Sequence, residues 1–305
     1  MRFSHALAAA FALTISAGGA SSQTPPPDPL PAKPLYRMRP AEAGQYIAWM
    51  YGAQPDLRRR IAAIGRKNIG QPYRLNLLGE FPYQLHDELP MFSLERSDCV
   101  VFVEHTYAMA LSRSWDEFFW MLQRIRYRDG IVGVATRNHY TEVDWNVANG
   151  WLVTDISAEL AGPTGPAYTM TVDRASFLKT RHHTQADMAV ETTRQAYVPK
   201  EGVAAVASRL REGDYVNVVS SRAGQAQVTH VGLLVLGPGG ERHLLHSSEP
   251  EVREESFDAF IARATEREAR NRQAGKLAST LLGFKFLRLN DDIVVPPMAP
   301  QPRPR

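Results

Sequence analysis

The sequence predicts an α+β fold, and three features carry that expectation. Helical patterns lie at residues 41–51, 55–69, 98–111 and from Ser114, and strand patterns dominate from Trp151 onward, a segregation that marks α+β architecture. Residues 226–236 (AQVTHVGLLVL) and 242–246 (RHLLH) are apolar runs joined by Gly237-Pro238-Gly239-Gly240, the pattern of a β-hairpin. Residues 98–111 form a helix that is apolar nearly all round, as expected at the centre of a core.

Residues 1–23 read as a secretory signal peptide. Arg2 supplies the positive start, residues 7–19 are apolar and small, and Ala17-Gly18-Gly19-Ala20 offers a cleavage site. The expected location is therefore periplasmic or secreted. No later stretch is apolar for long enough to cross a bilayer. Residues 24–40 are a proline-rich spacer, expected to be extended. Residues 41–292 have ample length for one domain with its own core, and residues 293–305 form a second proline-rich tail expected to be disordered. Thirty-five basic against 32 acidic residues give a formal charge of +3. That is too mild to argue for nucleic acid and compatible with an anionic polymer such as a cell wall.

Within the domain, residues 41–51 and 55–69 have helical spacing. The second carries Arg58, Arg59 and Arg60, which read as a solvated face. Residues 73–96 are a long, turn-rich segment, the kind that often walls a site. In the apolar helix, Glu104 is expected to be paired internally and His105 to lie near an edge. Ser114-Trp115-Asp116-Glu117 is a capping box opening the next helix. Arg137, His139, Tyr140 and Trp145 then cluster in a polar stretch, a combination suited to recognising sugars or peptides; Tyr140 and Trp145 serve equally well as core. Strands are expected near 167–172, 191–198, 215–220 and 281–289, and helices at 199–210 and 254–271. His182, His183 and Asp187 match no zinc spacing.

Cys99 is the chain's one cysteine and cannot form an internal disulfide. It stands where a loop enters the apolar helix, with Ser97 or Asp98 placed to cap the first turn. A helix N-terminus favours a thiolate and can lower a thiol pKa from about 8.5 to as low as ~3.5. The competing reading is a buried structural cysteine. On the hairpin, His230 shares its face with Val228 and Gly232, and His246 lies on the partner strand within reach of it; His243 falls on the other face. Cys99 and His230 make a nucleophile–base pair, with His246 orienting the base. The Cys99 N–H points where an oxyanion would form, a contact worth roughly 3–4 kcal/mol to a transition state. These roles fit amide hydrolysis through a thioester and call for no cofactor and no metal.

The ordered set Gly70-Gln-Pro-Tyr73, Leu78-Gly79-Glu80, Asp98-Cys99-Val-Val-Phe-Val-Glu104, Ile125-Arg-Tyr-Arg128, Arg137-Asn-His139-Tyr140, Thr229-His230-Val-Gly232 and His246-Ser-Ser resembles the N-acetylmuramoyl-L-alanine amidase-like family. That family belongs to the NlpC-type, papain-like cysteine peptidase superfamily. The resemblance implies a papain-like α+β fold, with the cysteine helix packed on an antiparallel sheet carrying the histidines and extra helices before it. It implies Cys99 as nucleophile, His230 as base and His246 as third member. Tyr73, Arg137, His139 and Tyr140 become expected substrate contacts, and peptidoglycan or its muropeptides the expected partner. The favoured bond joins muramic acid to L-alanine. A γ-D-glutamyl endopeptidase, a non-catalytic wall-binding module of the same fold and a lipid acyltransferase are the alternatives.

Overall fold

The computed structural model describes residues 27–84, 87–277 and 279–303; the expected signal peptide lies outside the described residues. Among them, seven strands form one antiparallel sheet. These are β1 (Val153–Asp155), β4 (Val198–Pro199), β5 (Tyr215–Arg222), β6 (Gln225–Leu236), β7 (Arg242–Ser248), β8 (Glu251–Ser256) and β9 (Ser279–Leu289). The path runs β1-β9-β5-β6-β7-β8, and β4 also pairs with β9. A separate two-stranded ribbon pairs β2 (Ala167–Val172) with β3 (Glu191–Ala196).

Both faces of the main sheet are apolar, and each is covered. On one side lie α1 (Pro40–Ala53), α2 (Leu57–Arg66), α3 (Cys99–Ala110) and α4 (Trp115–Arg126). Phe102, Val103 and Tyr107 of α3 meet Tyr215, Val231, Leu233 and Leu245 there. On the other side, Val216, Val218, Leu234, Leu244 and Phe284 pack against Phe257 and Phe260 of the C-terminal helix Phe257–Gln273. Helix α3 is apolar all round because it is enclosed by α1, α2, α4 and the sheet.

Several expectations need correction. Arg60 is buried and donates to the carbonyls of Ala110 at 2.7 Å and Gln54 at 2.6 Å. Arg58 bridges Asp214 and Asp291, each at 3.1 Å. Arg58 and Arg60 thus satisfy carboxylate and backbone acceptors within the domain, and of the three only Arg59 is exposed as expected. Residues 251–256 form β8 rather than the start of the last helix. Residues 199–210 break into short helical turns.

The spacer and tail are docked. Leu35 and Met38 are buried in the main core, the Leu35 N–H donates to the Lys67 carbonyl at 3.0 Å, and the Lys67 ammonium reaches Asp28 at 2.7 Å. At the other end, the Ala299 N–H donates to the Asp129 carbonyl at 3.1 Å, and Gln301 Nε2 donates to the Gly130 carbonyl at 2.7 Å. The spacer is corrected from extended to turn-rich, with a 3-10 turn at Leu35–Arg37, and both segments find hydrogen-bond partners on the domain.

Candidate active site

Asp98 is the N-cap of α3, its carboxylate accepting from the Val101 N–H at 2.9 Å. Cys99, half-buried, is the first helical residue. Its sulfur faces the N–H groups of Val231, Val100 and Cys99 itself. These favour a thiolate, but burial and then the Asp98 charge outweigh them and push the thiol up to about 12. The expectation of a lowered thiol pKa is therefore corrected. The helix terminus offers its dipole, while the capping carboxylate beside it and the lost water oppose a second negative charge.

Val231 is the residue after His230, so the N–H that contacts the sulfur adjoins the imidazole-bearing residue. Among the described residues no hydrogen bond joins Cys99 directly to His230. The β5–β6 register shifts beside His230, and β6 pairs with β7 only from Leu233 to Leu236. Past Leu233 that ladder has ended, and the link between the two strands becomes a side-chain bond. His230 Nε2 lies 2.7 Å from His246 Nδ1. Both rings lie toward the C-terminal helix, His230 stacked on Phe260 and His246 edge-on to it. Burial, then the His246 ring and three nearby arginines, hold His230 well below the usual histidine value. Burial also lowers His246, with Glu255 opposing it. The resting pair is thus thiol and neutral imidazole.

The geometry adds a residue that the sequence reading missed. His246 Nε2 lies 2.7 Å from Glu255 Oε1. Glu255 is held in turn by Arg263 on both oxygens and by Arg253 at 3.4 Å. The signal was the alternation in residues 251–256: Glu255 pairs with Leu244, and so shares the face of His246. Reading that stretch partly as helix hid it. On the opposite face, His243 meets Glu254, which pairs with Arg66.

A polar stitch ties the cysteine loop to the histidine strand. The Ser97 hydroxyl lies 2.6 Å from Gln71 Oε1 and 2.9 Å from Ser247 Oγ. Ser247 donates to the Ser97 carbonyl at 3.0 Å, and all three residues are buried. Tyr73 stands beside the thiol. Burial, then Cys99 and Asp98, raise its phenol to about 12.

The other expected substrate contacts lie apart. Arg137 forms ion pairs with Glu80 and, at 2.7 Å, with Asp87. Its guanidinium neutralises the buried Glu80 carboxylate. His139 Nε2 lies 2.8 Å from the Val134 carbonyl oxygen, and burial pushes its pKa down to about 3. Arg137, His139 and Tyr140 line a cavity of about 690 Å³ with Asp144, Arg174 and Phe177; none of Cys99, His230 or His246 lines it. Trp145 is core, donating to Glu104 at 3.1 Å, and Glu104 also pairs with Arg126 at 3.4 Å. His105 is buried rather than at an edge, with Nδ1 2.8 Å from the Val101 carbonyl oxygen.

The N-acetylmuramoyl-L-alanine amidase-like (AmiA-like) family model matches residues 63–265, a span that holds Cys99, both histidines and Glu255. The chain belongs to this family. Protein LPG0564 from Legionella pneumophila str. Philadelphia 1, of the DUF1460 family model, is similar over 84% of this chain and 96% of its own, at 18% identity and a TM-score of 0.65. An N-acetylmuramoyl-L-alanine amidase from Bacteroides uniformis ATCC 8492 is similar over 77% of this chain and 99% of its own, at 20% identity and a TM-score of 0.58. A Bacteroides fragilis protein provisionally named a xylanase is similar over 74% and 99%, at 22% identity and a TM-score of 0.53. At these identities the likenesses establish the fold alone. No curated protein matches the chain.

Proposed function

We propose that this family member is an exported cysteine amidase of peptidoglycan, built on a papain-like fold of the NlpC type. Family membership supports the wall substrate. The observations that support the cysteine chemistry are the place of Cys99 at the first position of α3, where the Val231 N–H favours its thiolate, and the His230–His246 contact of 2.7 Å that begins at the residue before Val231. Cys99 attacks the amide carbon as His230 removes the thiol proton, so that no buried ion pair need exist before substrate arrives. N–H groups at the start of α3 face the developing oxyanion. His230 returns the proton to the leaving amine, and water then hydrolyses the thioester. The favoured bond is the one between N-acetylmuramic acid and L-alanine. The first residues of the chain supply the export signal.

The test compares the wild type with Cys99→Ala on purified muropeptides by mass spectrometry. The proposal expects release of the intact stem peptide by wild type and none by the variant. A dipeptide left on the glycan would instead assign a γ-D-glutamyl endopeptidase. Undiminished turnover by Cys99→Ala would refute the thiol mechanism.

A further inference from the structure

We propose that Glu255 is a positioning residue that fixes the tautomers of both imidazoles, leaving His230 Nδ1 unprotonated and able to accept a proton. The inference rests on the hydrolase reading above and specifies its general base. An ionised carboxylate only accepts hydrogen bonds. Glu255 is ionised: burial opposes its charge, yet hydrogen bonds from His246 and Arg263 outweigh burial and hold the carboxyl at about 2. The His246 nitrogen 2.7 Å from Glu255 Oε1 is therefore the protonated one, Nε2–H. A neutral imidazole carries one N–H, so His246 Nδ1 is an acceptor. The His230 nitrogen facing it at 2.7 Å must donate, which places the His230 proton on Nε2. His230 Nδ1 is left with a lone pair.

One fixed acceptor thus orders two rings through two hydrogen bonds. With the chain reversed, His230 would carry its proton on Nδ1 and could not take one from a thiol. When Cys99 reacts, its proton moves from sulfur to His230 Nδ1 and Nε2 keeps its own. The imidazolium charge is supported through His246 by the carboxylate, which itself stays unprotonated. Arg263 grips both Glu255 oxygens and Arg253 lies 3.4 Å from one of them, so the carboxylate cannot swing away. Phe260 contacts both rings and limits their rotation.

The test uses the full chain with ¹⁵N-labelled histidine and long-range ¹H–¹⁵N correlation spectra at pH 7.5. The expected result is the Nε2–H tautomer at both His230 and His246. In Glu255→Gln, both rings should lose that single tautomer. kcat should fall at least tenfold with KM unchanged, and the acid limb of the kcat profile should move to lower pH because the anion supporting the imidazolium is gone. Glu255→Asp should restore part of kcat. Nδ1–H at His246 in the wild type, or unchanged kcat and pH profile in Glu255→Gln, would overturn the proposal. If Glu255→Gln does not fold, the wild-type spectrum still decides. The tautomers are read without turnover, so a wild type with Nε2–H rings and no action on muropeptides would count against the hydrolase reading alone.

Discussion

Alkylation of Cys99 tests whether the resting site holds a thiol or a thiolate. A preformed thiolate–imidazolium pair would react quickly with iodoacetamide across acid and neutral pH. The structure predicts the opposite, because burial and the Asp98 carboxylate push the thiol up to about 12. A free thiol titrates near 8.5, so the thiolate fraction at pH 7 should be roughly three powers of ten smaller than that of a simple thiol. Transfer of the proton to His230 does not rescue it. That ring lies well below its usual value, so thiol and neutral imidazole are favoured over the ion pair. The assay follows single-site labelling by intact-protein mass spectrometry from pH 5 to 10, with a small thiol as reference. The rate should rise about tenfold per pH unit throughout, and stay far below the reference at pH 7. Fast labelling with a plateau between pH 5 and 8 would refute the reasoning.

Three further outcomes are expected. Arg126→Met leaves Glu104, 2% exposed, without its cation; stability should drop by about 3–5 kcal/mol in urea unfolding, with part regained in Arg126→Met/Glu104→Gln. Gly283→Ala should destabilise by about 1–3 kcal/mol, since a Cβ there meets the Val198 carbonyl oxygen where β4 pairs with β9; an unchanged melting temperature would contradict the packing. Burial pushes the His105 pKa down to about 3. Its neutral form contributes stability that is present above the unfolded value near 6.5 and is lost as pH falls toward 3. Urea midpoints should decline over that window, and His105→Gln should lessen the slope; an identical slope would exclude the assignment.

Much of this architecture was legible in the sequence because its signals are local. The apolar run after Cys99, the cap at Asp98 and the hairpin around Gly237–Gly240 declared themselves within a few residues each. The pairing of His230 with His246 followed from strand periodicity and a short turn. What was not legible depended on partners distant in sequence. Arg60 looks like any helix-surface arginine until the Ala110 carbonyl, 50 residues on, is placed against it. Arg137 likewise finds Glu80 across 57 residues. The thiol pKa was misjudged because the N-terminal dipole is a sequence-level feature, whereas the loss of water around the sulfur is a tertiary one. Glu255 was missed through a boundary: residues 251–256 alternate as a strand, but the charged run Arg253-Glu254-Glu255 stands next to the helix that begins at Phe257.

The Ser97–Ser247 stitch has a consequence for how errors propagate through this molecule. It joins a position two residues before Cys99 to one immediately after His246, across 150 residues of chain. Alignment between the two halves is therefore local in space though remote in sequence, and is set by two hydroxyls and one amide. The contact ties the Cys99 loop to the His246 strand directly, whatever the length of the polypeptide between them. Loss of the hydroxyl at 97 or 247 removes that tie without opening the apolar core on either side of the sheet.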